Sequence, residues 1–195
     1  MCSSDLILSI DENPLYSSLI NENGNFSITI DSIESGLYNF FLQPEFQYVI
    51  LEEGDSIYIR LNSLDFDESL VFMGKGSAKN NFLIDVFLKN EEHNDLLNSY
   101  YNISIDDFLI NVDSLFNNQK ELFKEFKKNN ELSYLSENLI FDAIKYPLLE
   151  KIQSYVVSNN LDLNRLEIDY SKYDIDFNNN SISSYKPYID FIYRS

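Results

Sequence analysis

Through the first third of the chain, apolar and polar residues alternate with the period of an extended strand. In "NFSITID" Phe26, Ile28 and Ile30 share one face, while Asn25, Ser27, Thr29 and Asp31 take the other. "SIYIRLN" repeats the pattern, with Ile57, Ile59 and Leu61 inward. "LYNFFLQ" and "FQYVILEE" are aromatic and β-branched with Pro44 between them, and "LILSI" at 6–10 predicts one more strand close to the start. Turn chemistry separates these runs, at "NENGN" (21–25), "ESG" (34–36) and "EEGD" (52–55). Strands at this spacing predict an antiparallel meander or sandwich. A sheet that begins so near the start is expected to lack a neighbouring strand and to expose an edge.

After Ser77 the period changes to that of a helix. Ser77 is placed to cap a helix reaching about Lys89, with Phe82, Leu83, Val86 and Phe87 inward. Ser104, with Asp107 three residues on, is an acidic variant of a capping box. The helix it opens carries Ile105, Phe108, Leu109, Val112, Leu115, Phe116, Leu122, Phe123 and Phe126 as an apolar stripe. "KEFKK" near its end sets cations where the helix dipole favours them. A second long helical segment follows residues 129–130, and Pro147 within it predicts a kink or break. Shorter helices are predicted near 161–168 and 184–193. The fold class is therefore α+β: an antiparallel, β-sandwich-like subdomain over 1–76 followed by a helical subdomain over 77–195, with the seam at 74–77.

Size and charge narrow the range of functions. A chain of 195 residues buries ~70% of its unfolded surface, enough for a core without disulfides. With 14 Lys and Arg against 32 Asp and Glu the formal net charge is −18, which disfavours nucleic acid and anionic lipid surfaces as partners. No stretch reaches the ~20 apolar residues of a membrane span. Cys2 is the single cysteine, so no internal disulfide forms. "MCSSDL" would suit the lipid-modified end of an anchored lipoprotein behind an export signal. The chain carries neither the basic nor the apolar region of such a signal, so a truncated start is expected.

Four stretches invite a chemical reading. "VFMGKGSAKNNFL" (71–83) sets Gly74 and Gly76 around Lys75, in outline like a phosphate loop. Such a loop needs glycine where Ser69 stands and Ser or Thr where Gly76 stands, and a dinucleotide fingerprint needs glycine at Lys79. The glycines are instead expected to turn the chain out of the sheet. "DIDFNNNSISSY" (174–185) places Asp174, Asp176 and Asn178 like the first calcium ligands of an EF-hand, but Asn179 and Tyr185 replace its glycine and its bidentate glutamate. It reads as a polar loop. His93, the sole histidine, has no cysteines for a zinc site and no motif tying it to a nucleophile. "DFDES" (65–69) reads as a solvated turn. No catalytic, cofactor-binding or metal-binding residue is assigned, and no cofactor is expected.

Taken together, "NENGNFSITI", "SGLYNFF", "VILEEGDSIYIRL", "DFDESLVFMGKGSAKNNFL" and "VDSLFNNQKELFKEF" resemble the amino-terminal region of bacterial TlpA-type thiol–disulfide oxidoreductase lipoproteins. That region precedes a thioredoxin domain, and the likeness runs from about Asn21 to the end. The resemblance implies a periplasmic or outer-envelope location, a lipid anchor in the parent protein and a thioredoxin domain in the parent chain. It also implies a client protein or peptide as partner. The family's redox work belongs to a C-x-x-C pair that this chain lacks. The expectation is a non-enzymatic accessory fragment that positions the redox module or binds its client. The alternative is a free-standing module holding a peptide or glycan on the sheet face or its edge.

Overall fold

A computed structural model describes residues 5–10, 14–100, 102–162 and 168–194, excluding the side chains of 5, 93–100 and 194. The fold is α+β. Six strands come first: β1 (Asp5–Ser9), β2 (Pro14–Leu19), β3 (Gly36–Leu42), β4 (Glu45–Leu51), β5 (Ser56–Arg60) and β6 (Val71–Lys75). A short helix α1 (Phe66–Ser69) interrupts them between β5 and β6. Helices α2 (Ser77–Tyr100), α3 (Ile105–Asn129), α4 (Tyr134–Ser158) and α5 (Lys186–Arg194) follow. The chain forms two compact units, Met1–Asp85 with Ser133–Leu139, and Val86–Leu132 with Ile140–Ser195.

The first unit holds a four-stranded antiparallel sheet in the order β2-β1-β3-β4 and a separate β5-β6 hairpin. Five of the seven residues of β3 are buried, and Leu6, Leu8, Tyr38, Phe40, Leu42, Val49 and Ile50 form the sheet's core. The position of β1 corrects the expectation of an exposed edge at the start, because β2 and β3 flank it on either side. The edge falls on β2, whose "PLYSSL" has too few alternating apolar residues to announce a strand. It is the ladder to β1 that makes it one. "NFSITID" departs from expectation in the opposite way. Its burial alternates as the sequence requires, with Phe26, Ile28 and Ile30 half-buried, yet it joins no ladder. Residues 65–69 are not simply a solvated turn: they contain α1, and Phe66 is buried with its ring 6.3 Å from that of Phe40.

The second unit is helical. Ser104 caps α3, its hydroxyl oxygen accepting from the Asp107 amide at 3.2 Å while donating to the Asp107 carboxylate at 2.7 Å. The stripe of α3 buries Phe108, Val112, Phe116 and Phe123. Helix α4 is buried on nearly every side, with Ile140, Ile144, Leu149 and Ile152 fully buried and the polar Asp142, Lys145 and Gln153 buried beside them. It runs through Pro147 without the expected break; the burial of residues on both sides outweighs the one donor that proline removes. Aromatic pairs join the elements, Phe108 stacking on Tyr155 at 4.2 Å and Phe116 meeting Tyr173 at 4.7 Å. The helix expected near 161–168 falls mainly on residues outside those described, while the one near 184–193 is α5.

Truncating Phe116→Ala should lower unfolding stability by about 3–5 kcal/mol, the range for emptying a packed aromatic site. Ser104→Ala should lower it by about 1 kcal/mol. Urea titrations monitored by far-ultraviolet circular dichroism distinguish these outcomes.

Candidate functional site

The glycine corner that resembles a phosphate loop is the place to begin. Gly74 and Gly76 have φ of +92° and +90°, a region where side chains are strained. A Cβ on Gly76 would stand 2.1 Å from an Asp55 carboxylate oxygen, and one on Gly74 2.4 Å from the Ser56 carbonyl. Both positions therefore require glycine, for the turn out of β6 and for the close approach of Asp55. Ser77 lies inside α2 and its hydroxyl donates to the Gly74 carbonyl at 2.7 Å, securing the turn. What faces the corner is a carboxylate, the opposite of what an anion cradle presents.

That carboxylate belongs to a buried ion cluster. The Lys79 ammonium, 5% exposed, lies 2.6 Å from Glu52 and 2.7 Å from Asp55. Asp55 also accepts from the Glu52 amide at 2.9 Å. Glu52 accepts from the hydroxyls of Ser133 and Ser136, the latter at 3.0 Å. Burial pushes the Glu52 carboxyl upward, but hydrogen bonds from Lys79, Ser133 and Ser136, with the charge of Lys79, outweigh it and hold the group below its ordinary value.

The two residues after Lys79 act on the backbone of the strands. Asn80 accepts from the Ile50 amide at 2.7 Å and donates to the Ile50 carbonyl at 2.9 Å. Asn81 does the same to Phe72, at 2.9 and 2.8 Å. An asparagine side chain carries the donor and acceptor of a peptide group, so each stands in for a neighbouring strand. The first turns of α2 thereby fasten β4 and β6 at once.

Beside this clamp lies a cavity of about 500 Å³, bounded by residues of both sheets and by the extended segment that joins neither. Leu6, Leu8, Phe40 and Val49 wall it from the larger sheet, and Ile57, Ile59 and Phe72 from the hairpin. Phe26, Ile28, Ile30 and Ile33 close it along the segment, with Glu52 and Asp55 at its polar rim. The cavity is partly open to solvent; its Leu, Ile, Val and Phe side chains can take up apolar groups, and Asn25, Ser27 and Tyr58 add polar groups to its lining. The sequence shows the strands on which these residues lie but not the space between them. The only signal for Asn80 and Asn81 was a pair of polar residues at the start of an apolar helix.

The remaining candidates are not brought to this site. The loop that imitates a calcium site spends its backbone oxygens on α4, the Asp174 carbonyl accepting from Lys145 at 2.8 Å and the Asp176 carbonyl from Tyr146 at 3.3 Å. Asn179 donates to Asp142 at 2.9 Å, and Tyr185 is buried. Among the described residues no group of three or more His, Cys, Asp or Glu is placed to hold a metal ion. Cys2 and the His93 side chain lie outside the described residues.

Lys79→Met should cost about 3 kcal/mol or more, because it leaves two carboxylates facing each other without their cation. Glu52→Gln gives a pH test. A carboxyl held below its ordinary value stabilises the fold above the unfolded-state value near ~4, and that stabilisation is lost as pH falls through the folded value. The stability gap between wild type and Glu52→Gln should therefore be largest at neutral pH and shrink on acidification, as read from denaturant midpoints. Comparison with protein-family models, curated proteins and solved structures finds no match for this chain.

Proposed function

We propose that this chain is a non-catalytic accessory region of an envelope thioredoxin-like protein, which holds a client for a redox module or positions that module. The observation that carries the client-binding part is the cavity between the sheets. Leu, Ile, Val and Phe side chains make up much of its wall and offer contact area to a client. The two carboxylates that also line it, Glu52 and Asp55, are engaged with Lys79 and with the fold. The assignment to a redox protein rests on the resemblance to the TlpA-type amino-terminal region, and the periplasmic location and lipid anchor of the parent come with it. Among the described residues no helix is long and apolar enough to cross a membrane.

A second reading, a free-standing module for a peptide or glycan, has its own observation. The cavity is built wholly from residues of the first unit, and Tyr58 on its wall is 68% exposed, a surface suited to stacking on a sugar face.

The purified chain should reduce an insulin-type disulfide substrate only at the background rate. Fused ahead of a C-x-x-C thioredoxin module, it should lower KM for an unfolded disulfide client and leave kcat nearly unchanged, the signature of binding without chemistry. Disulfide turnover by the chain alone that persists in Cys2→Ser would overturn the accessory reading. Specific retention of a glycan with no effect on the fused module would favour the second.

A further inference from the structure

The segment Asn25–Ile33 has the sequence of a strand and the alternating burial of a strand, but it has no ladder. Phe26, Ile28, Ile30 and Ile33 are half-buried, whereas Asn25, Ser27, Thr29 and Asp31 are exposed. Among the described residues the backbone of 26–33 makes no hydrogen bond to other backbone. Two side chains of β2 hold it, Ser18 accepting from the Ser27 amide at 3.3 Å and the Tyr16 hydroxyl reaching the Ser32 carbonyl at 3.5 Å. An extended backbone with no strand paired to it, lying along a cavity with apolar walls, is a template for a further strand on the edge away from β2.

Charge indicates which strand. The first Lys or Arg in the chain is Arg60, so every charged side chain from the start through β4 and into β5 is acidic. Glu22 and Glu34 flank the unpaired segment and Asp31 lies within it, all exposed. A second copy of this chain would bring the same acids to the same edge, and like charges placed together oppose association. A basic strand meets the opposite sign.

We propose that Asn25–Ile33 is a docking strand for an extended, lysine- or arginine-bearing polypeptide. The guest pairs with the free backbone, turns alternate apolar side chains into the cavity between the sheets and sets its cations toward Glu22, Asp31 and Glu34. This deepens the client-binding part of the proposed function and rests on it for its biological setting, while the binding itself is measurable alone.

The test uses a fluorescein-labelled peptide of about eight residues, within the usual length of a strand, alternating Lys and Val, titrated against the full chain and read by anisotropy. It should bind at least about tenfold more tightly than an alternating Glu–Val peptide, and added salt should weaken it. Methylating its alternate amide nitrogens should cost about tenfold, the equivalent of roughly one hydrogen bond. Asp31→Lys, a charge reversal at an exposed side chain, should weaken binding of the Lys–Val peptide by a similar factor with the unfolding transition unchanged, and Glu34→Lys should do the same. Equal binding of the Lys–Val and Glu–Val peptides would reduce the site to apolar uptake and overturn the proposal. Undiminished binding of the methylated peptide would reduce it to charge alone. A dimer in sedimentation that excess Lys–Val peptide dissolves would give the edge to a second copy and overturn the proposal. Peptide binding without any KM effect on the fused redox module would defeat the redox setting and leave the docking strand standing. A KM effect without peptide binding would do the reverse.

Discussion

The first unit depends on what a single turn of α2 does to two strands. Lys79, Asn80 and Asn81 follow one another, so their side chains leave the helix in different directions. One reaches the Glu52–Asp55 turn, one the edge of β4 at Ile50 and one β6 at Phe72. A strand edge left bare inside a protein is costly. An asparagine satisfies one residue's worth of it without the length of another strand. The ion cluster does something different. Taking Lys79 out of water is expensive, and its two carboxylates return little net stability. What they fix is position, because the ammonium ties the first turn of α2 to the turn between β4 and β5. The positive-φ glycines serve the same end: Gly76 has no side chain, and Asp55 occupies that space.

The second unit solves the same problem with a buried pair on one helix. Asp142 and Lys145 lie 2.8 Å apart, 4% and 5% exposed. Burial pushes the Asp142 carboxyl above its ordinary value, against the opposing pull of Lys145 and Asn179. Lys145 also lies over the rings of Phe141 and Tyr146 and donates to the Asp174 carbonyl. Tyr173, fully buried, donates to Asp113 at 2.8 Å. The loop around 174–179 is thus tied to α4 through its backbone. Its resemblance to a calcium loop arises because turn residues and calcium ligands are drawn from the same few side chains.

The cavity follows from the shape of the first unit. Four strands and a two-stranded hairpin each present an apolar face, and the segment that would complete the larger sheet approaches without pairing. Side chains of β2 reach its backbone in place of a ladder. The result is a partly open cavity with apolar walls from both sheets and an acidic segment along one side.

Much of this was legible in the chain. The α+β order, the strands at 36–42, 45–51 and 56–60, the change from strand to helix at the glycine corner, the Ser104 cap and the stripe of α3 all follow from period and capping chemistry, which are local. β2 was not legible, because a strand of Pro, Ser and Leu exists only through its ladder to β1. Nor was the failure of residues 25–31 to pair, since alternation reports which face is buried and says nothing of whether a partner lies alongside. Lys79, Asn80 and Asn81 looked like an ordinary polar helix start. Their roles were decided only when the fold brought Glu52, Asp55, Ile50 and Phe72, each far away in sequence, within hydrogen-bonding distance.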